Sequence, residues 1–375
     1  MNPTIFAGVT LAALAAVPAT AAAAPTTDAV VQRGLEGLVH ARGGPPGAVA
    51  TLYRDGHLTV LRAGRADVRR RGAPRASDHM RIASAAKAFN GALALQLVRD
   101  GQLGLDDTIG QRLPELPGAW AAVTVRQMLQ HTSGLPDYTR SKGFARQART
   151  NPRGYVPPSQ IIGWVDDQGL EFAPGTQYAY SNTDNIVVGL IAERITGQTY
   201  GALLRDRVFR PLGLAQTSFP TRRISLPRPF IHGYITEPGR KPQDVTTFLS
   251  PSGAWASGAI VSTPADLATF MRANLGLKLF GAEQQREQMR FVAGSSSPPG
   301  PGTNSAGLAL FRYKTRCGTV YGHTGNFPGY VQWVAATADG ARSVTTTLNI
   351  PAPQGKLLRR LRAVQTTAVC ALMGR

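Results

Sequence analysis

The sequence predicts an α+β protein: an antiparallel sheet built from N- and C-terminal segments and flanked by helices, with a mostly helical second lobe. Three observations carry this reading. Alternating apolar and polar residues with turn dipeptides occur toward both ends of the chain, at residues 48–61 and 320–348. Between residues 106 and 250 the pattern is one of short helical pieces separated by Pro- and Gly-rich connections, with no strand pair. Helical stretches with one apolar face stand outside both strand regions, at residues 29–39 and 357–372. On this reading residues 25–105 and 251–375 form the sheet lobe and residues 106–250 the helical lobe. A cleft between lobes is where a site belongs.

The first 24 residues contain no charged side chain; residues 5–16 are an apolar run, and residues 18–24 are small enough to suit cleavage. Residues 1–24 therefore read as a secretory signal peptide, because the run is too short to span a bilayer. This predicts a secreted, extracellular protein, free or associated with the cell wall. No later stretch is apolar for long enough to cross a membrane. Ala29, Val30, Leu35, Leu38 and Val39 then recur at helical spacing until Gly43-Gly44-Pro45-Pro46 breaks the pattern. Residues 48–53 alternate into Asp55-Gly56 and residues 58–61 return, which is a hairpin.

Next comes the stretch 81–90, where Ser84 and Lys87 lie three apart on one helical face. Ala88, Leu93, Leu95, Leu97 and Val98 continue it as a buried helix that stops at Gly101. Ser84 falls in the first turn, where free backbone N–H groups and the positive end of the helix favour an oxyanion. A serine needs an adjacent base to attack a carbonyl. A lysine can be that base where burial keeps it partly neutral. Taken alone, the pair occurs often by chance, and its plainer reading is an N-cap serine before an ordinary surface lysine.

Helical pieces follow at residues 124–130, 158–166, 185–196 and 200–208. Beyond residue 250, Thr263 caps a helix over 266–274 with Pro264 at its first position. Residues 294–303 are a Ser/Pro/Gly-rich loop. Strands follow at 320–321, 330–336 and 343–348, the last two joined by Asp339-Gly340. A final helix aligns Leu357, Leu361, Val364, Ala368 and Leu372 on one face.

The net charge is +19, yet the arginines are scattered, with clusters only at Arg69-Arg70-Arg71 and at Arg359-Arg360 with Arg362. No zinc-finger spacing or RNA-binding signature accompanies them, so nucleic acid is not the expected partner. The alternatives are a solvated basic surface and attraction to an anionic cell-wall polymer. The six histidines lack metal-ligand spacing and no phosphate-cradling glycine loop occurs, so neither metal nor cofactor is expected. Cys317 and Cys370 either pair in an oxidising compartment or remain buried thiols.

Two further patterns carry chemistry. Tyr180-Ser181-Asn182, after Pro174-Gly175 and before a helix, sets a phenol that can move protons beside an amide that can hold a carbonyl. Gly322-His323-Thr324-Gly325 ends a strand; its glycines let a substrate backbone lie along the edge while His323 and Thr324 offer polar contacts. Each has a plainer alternative, a core tyrosine and an ordinary strand-end histidine.

In this order, Ser84-x-x-Lys87, Tyr180-x-Asn182 and His323-Thr324-Gly325 resemble the three motifs of the penicillin-recognising serine hydrolases. That family includes DD-peptidases, class C β-lactamases and related esterases. The segment 129–136 and Pro174-Gly175 are similar to its supporting text, and the resemblance runs from about residue 45 to the C-terminus. Within the family the chain is most similar to the exocellular actinobacterial D-alanyl-D-alanine carboxypeptidases/transpeptidases. They too use His-Thr-Gly and pair a cysteine before that motif with one near the C-terminus.

The resemblance implies the β-lactamase/DD-peptidase fold and a Cys317–Cys370 disulfide. It implies Ser84 as the acylated nucleophile, with Lys87 and Tyr180 handling its proton, the phenol's pKa being lowered by Lys87 and His323. Asn182 would hold the acyl side chain's amide, and the backbone N–H groups of Ser84 and Asn326 would form an oxyanion hole. Trp255, His323 and Gly325 would line the substrate. Thr324 would bind a terminal carboxylate, with Arg312 the candidate for the family's carboxylate-binding arginine. Ala86 replaces a threonine common before the lysine, and Asn326 replaces the threonine or serine usual after the third motif. The implied activity is D-Ala-D-Ala carboxypeptidase/transpeptidase action on peptidoglycan stem peptides or other small acyl substrates, with β-lactams as covalent inhibitors. The alternatives are a class C-like β-lactamase or an esterase, and outside enzymes a non-catalytic wall-binding protein.

Overall fold

The computed structural model describes Met1 and residues 26–375, so the signal-peptide reading lies outside the described residues. The first helix, α1 (Thr27–Val39), is capped by the Thr26 side chain, which accepts from the Ala29 N–H, and it buries Val31, Leu35 and Leu38. Strands β1 (Gly47–Arg54) and β2 (His57–Gly64) form the expected hairpin. Asp55 (φ 52°) and Gly56 (φ 80°) both take the left-handed conformation that a two-residue turn between twisted strands requires.

The sheet is completed from the far end of the chain by β3 (Val292–Ala293), β4 (Thr303–Ala306), β5 (Phe311–Thr315), β6 (Gly318–Phe327), β7 (Tyr330–Ala336) and β8 (Ser343–Leu348). Its antiparallel order is β2-β1-β8-β7-β6-β5-β4-β3. Ala48 of β1 lies opposite Leu348 of β8, so segments distant in sequence meet as the second and third strands of the sheet. Sequence reading missed β3 to β5 because they are short and lack an apolar pattern; each is specified by pairing with its neighbour in the succession β6-β5-β4-β3.

The helices that position the site are α2 (Ala86–Arg99), α3 (Thr183–Thr196), α4 (Pro264–Leu275) and α5 (Gly355–Met373). Alternation along β1 sends Ala48, Ala50 and Leu52 to a core shared with α1 and α5, and Val49 to a core shared with α2 and α4. On β7 the same rule divides Val331, Trp333 and Ala335 from Val334 and Ala336. Helix α2 is the hub: Ala86 through Leu97 are all buried, which is why its sequence is apolar on every side. Gly91 permits its closest approach, since a Cβ there would stand 2.4 Å from that of Ala309.

Residues 106–250 carry the expected helices at Val125–Gln130, Pro158–Ile162, Thr183–Thr196 and Tyr200–Leu204, and two more at Ile109–Arg112 and Lys142–Thr150. One two-residue ladder, Tyr234–Ile235 with Gln243–Asp244, corrects the expectation of no strand pair. Among the described residues no helix is long and apolar enough to cross a membrane.

Cys317 and Cys370 are joined, with Cα atoms 4.9 Å apart, tying the β5–β6 turn to α5. Closing a loop across 53 residues stabilises the fold by about 4 kcal/mol on the chain-entropy model. Replacing both cysteines by alanine is expected to lower stability by about that amount in urea unfolding. An unchanged unfolding midpoint would refute this.

Candidate active site

Ser84 sits in a single 3₁₀ turn, Ala83–Ala85, directly before α2. Two glycine-bearing segments pack on that turn, and the nearer of them has no room for a side chain. At Gly325 of β6 a Cβ would lie 2.2 Å from the Ile82 carbonyl oxygen and 3.2 Å from the Ala85 nitrogen. At Gly258 it would lie 3.5 Å from the Ala83 carbonyl carbon. Gly325→Ala is therefore expected to push β6 off the serine turn, costing about 1–3 kcal/mol of stability. Acylation of Ser84 should slow by at least about tenfold, since a 1 Å misplacement can cost about 100-fold. A variant with wild-type acylation kinetics would show that this contact is slack.

Lys87 is fully buried, one helical turn along. Its ammonium donates to Ser84 Oγ at 3.2 Å, to Asn182 Oδ1 at 2.8 Å and to the Ser257 carbonyl at 2.8 Å. Burial lowers its pKa to about 7, against the opposing pull of Asp137 and Asp184. The amine is thus poised to exchange a proton near neutrality.

The Tyr180 ring lies 5.1 Å from that ammonium. Its hydroxyl is buried without a hydrogen bond of ordinary geometry, although Ser84 faces it closely enough to draw its pKa down. Burial is the larger effect and holds the phenol well above its usual value. His323 is also fully buried, and burial together with Lys87 lowers its pKa to about 3. The expectation that Lys87 and His323 act as cations lowering the phenol's pKa is thereby corrected. The phenol keeps its proton, and His323 is neutral.

Asn182 stands immediately before α3 and is held at both ends. Its Oδ1 accepts from Lys87, while its Nδ2 donates to the two Asp137 oxygens at 3.2 and 3.1 Å. On β6, Phe327 pairs with Tyr330 across the turn Pro328-Gly329, leaving Asn326 opposite Val331 in the following, non-hydrogen-bonded pair. The Asn326 N–H consequently points away from β7. Its side chain is engaged elsewhere, Oδ1 accepting from the Ala352 N–H at 2.7 Å.

A cavity of about 600 Å³ opens beside the serine, lined by Ser84, Tyr180, Asn182 and Asn326 and walled by Phe144, Phe248, Leu249 and Phe327. Five residues expected to line or hold the substrate are not among its lining. Trp255 is buried, its ring 5.1 Å from that of Tyr200. Arg312 donates to Ser305 Oγ at 3.0 Å and lies over the Phe291 ring. The strand alternation turns His323, paired with Val334, toward the α2 core, edge-on to Phe311. Thr324 takes the opposite face and donates to the Pro298 carbonyl at 2.8 Å. Gly325 packs behind the serine turn rather than along the cavity.

Sequence reasoning missed Asp137 and the set formed by His131, Ser133 and Asp184. Ser133 donates to Asp184 Oδ1 at 2.5 Å, and His131 Nδ1 lies 2.7 Å from Asp184 Oδ2. Burial drives the Asp184 carboxyl well up and His131 down to about 3. The His131 ring lies tilted at 36° to that of Tyr180, centroids 4.4 Å apart, and accepts from the Ser181 N–H. The motif text at residues 129–136 thus supports the tyrosine loop from beneath. Together, a serine hydroxyl, a near-neutral buried amine, a protonated phenol and outward backbone N–H groups can make and break an ester at Ser84.

A family model described as beta-lactamase matches residues 27–368. Penicillin-binding protein 4 of Amycolatopsis lactamdurans is 31% identical over 240 residues, 61% of this chain and 59% of that protein. The match thus spans less than two thirds of that relative's length. Among solved structures, a D-stereospecific amidohydrolase from a Streptomyces species has a TM-score of 0.77 at 31% identity, covering 86% of this chain and 94% of that one. A D-amino acid amidase from Ochrobactrum anthropi SV3, complexed with L-phenylalanine amide, has a TM-score of 0.80 at 25% identity, covering 92% and 99%.

Proposed function

The chain belongs to the beta-lactamase family and is a serine hydrolase of the penicillin-binding-protein and β-lactamase superfamily, and from that premise we propose that it cleaves amides whose acyl part is a D-residue. The observation that carries the mechanism is the lysine bonded to Ser84 and held near pKa 7. Neutral Lys87 takes the Ser84 proton as the hydroxyl attacks the carbonyl. The Tyr180 phenol passes a proton to the departing amine and is resupplied from Lys87. The backbone N–H groups of Ser84 and Asn326 receive the oxyanion, each contributing about 3–4 kcal/mol to the transition state. Water then repeats the sequence on the acyl-serine. Asn182, clamped between Lys87 and Asp137, keeps the amine aimed at the serine.

The D-configuration is supported by the similar proteins named above, two of them acting on D-amino acid derivatives by their names. D-Ala-D-Ala carboxypeptidase or transpeptidase action on peptidoglycan stem peptides is one form of this chemistry, and β-lactams would be its covalent inhibitors. The exposed Arg140 at the cavity favours that form, as a cation for a terminal carboxylate. Against it, Arg312, His323 and Thr324 are turned elsewhere, and the walls are apolar. An amide without a terminal carboxylate fits this cavity better. Export to an oxidising compartment is part of this proposal and is supported by the disulfide.

The test is intact-mass spectrometry with penicillin, followed by turnover of D-phenylalaninamide, its L-enantiomer and a peptide ending in D-Ala-D-Ala. The expected results are one adduct on Ser84, absent in Ser84→Ala, and a D-over-L preference of at least about tenfold. A label elsewhere, or none on folded protein, removes the acyl-serine mechanism. Peptide turnover at least about tenfold above that of the amide would reinstate the carboxypeptidase.

A further inference from the structure

We propose that a second cavity, remote in chemistry from the serine, binds a linear phosphodiester polymer that carries no bases. The cavity holds about 530 Å³ between the loop after β2 and the segment around Phe230. Arg69, Arg70, Arg71, Arg75 and Arg228 line it, and the carboxylates facing them are Asp67 and Asp78. Both are buried and engaged. Asp67 meets Arg69 at 3.1 Å, Arg70 at 3.8 Å and His232 at 3.5 Å, while Asp78 accepts the Arg75 backbone N–H at 2.8 Å. Among the described residues, Arg71, Arg75 and Arg228 make no ion pair.

The walls are stitched together by backbone rather than merely adjacent. His79 N–H donates to the Pro229 carbonyl at 2.9 Å, Ile231 N–H to the His79 carbonyl at 3.0 Å, and His232 N–H to the Ala66 carbonyl at 2.9 Å. Converging guanidinium groups on a fixed frame repel one another, and an anion between them relieves that repulsion. Guanidinium forks match phosphate oxygens in pairs, and several forks spread around one cavity suit several phosphates in sequence.

The aromatic complement decides against nucleic acid. Phe230 is half-buried, faced by the Arg228 guanidinium at 5.7 Å and by the His232 ring at 4.5 Å. Among the described residues of the lining no free ring is offered for a base to stack on, the device by which single-strand binders hold bases. The ligand is therefore read by its backbone charge. The same segment also packs on the turn of the catalytic cavity: a Cβ on Gly233 would stand 2.7 Å from the Tyr330 ring and 3.0 Å from Gly329 Cα. Phe327 and Pro328 of that turn line the serine's cavity, so a bound polymer is held beside the substrate entrance.

The experiment measures binding of fluorescently labelled poly(glycerol phosphate) to the purified chain at 50 and 200 mM salt, without any catalytic readout. The variant Arg71→Gln/Arg75→Gln/Arg228→Gln is compared with Arg316→Gln/Arg359→Gln/Arg360→Gln, which removes the same charge from exposed positions elsewhere. The first should weaken binding by at least about tenfold, the second by no more than about twofold, and only the first should lower the salt slope by about 2. Should the first variant melt early, Arg71→Gln alone is expected to give about a threefold loss. Equal losses from both triple variants, or no binding by wild type at 50 mM salt, overturn the proposal. So does tighter binding of single-stranded DNA of equal charge, or displacement by inorganic phosphate at low millimolar concentration.

Discussion

Lys87→Met is expected to slow acylation of Ser84 by on the order of 10⁴-fold and to erase the rise of the rate with pH centred near 7. Methionine has nearly the length and volume of the lysine, so α2 keeps its packing. The cost to the fold is the lost donor to Asn182 Oδ1 and the Ser257 carbonyl, about 1–3 kcal/mol, partly offset by no longer burying an amine. The chemistry loses its base outright. The sign of the pH dependence follows from the lowered pKa. The amine accepts a proton only when neutral, so acylation rises with pH through about 7 and levels off above it. His131 and His323 are both held at about 3, so neither supplies a limb in that window. Single-turnover acylation between pH 5 and 9, with one amide or thioester, measures this. A limb that persists unchanged in Lys87→Met assigns the base to another group.

Tyr180→Phe is expected to slow acylation by about 10²–10⁴-fold while the fold stays intact. The ring remains packed against His131 and beside Lys87, and the hydroxyl that is lost has no hydrogen bond of ordinary geometry to forfeit. What disappears is the protonated donor facing Ser84. Because that phenol never ionises near neutrality, its removal should scale the rate without moving the limb near 7. His323→Ala is the contrasting variant. It empties a site in the α2 core beside Phe311 and should cost about 2–4 kcal/mol of stability, with acylation of the folded fraction within about tenfold of wild type. If Tyr180→Phe acylates normally and His323→Ala does not, the histidine is the base and the proposed proton path is wrong.

The legible parts of this molecule were those specified locally. The Asp55-Gly56 hairpin, the Thr263 cap with Pro264, and the uniformly apolar α2 each declare themselves within a dozen residues. Ser84 and Lys87 share a helical face by spacing alone, and the structure sets them in contact. What sequence could not supply was orientation across the sheet. His323 and Thr324 are adjacent in a motif, yet the strand's period of two sends them to opposite faces. Trp255 reads as a substrate wall until Gly189 and Tyr200 are seen to enclose it. The pKa pattern was equally hidden, because it depends on burial that brings Asp184, His131 and Tyr180 together from separate segments. The quoted text at residues 129–136 marked the place without revealing that the reason was support for the tyrosine loop.

The pairing of β1 with β8 has a consequence for how the protein comes into being. Strand β1 finds one neighbour at once in β2, but its other neighbour lies far along the chain, with Ala48 waiting for Leu348. The Ser84 turn likewise has no backing until β6 arrives with Gly325. A chain still emerging from a ribosome or a translocation channel therefore holds its nucleophile on an unfinished sheet. Contacts so distant along the sequence close slowly, because the intervening chain must be ordered before they reward it. Hydrolytic competence consequently waits for the segment that carries β6 to β8.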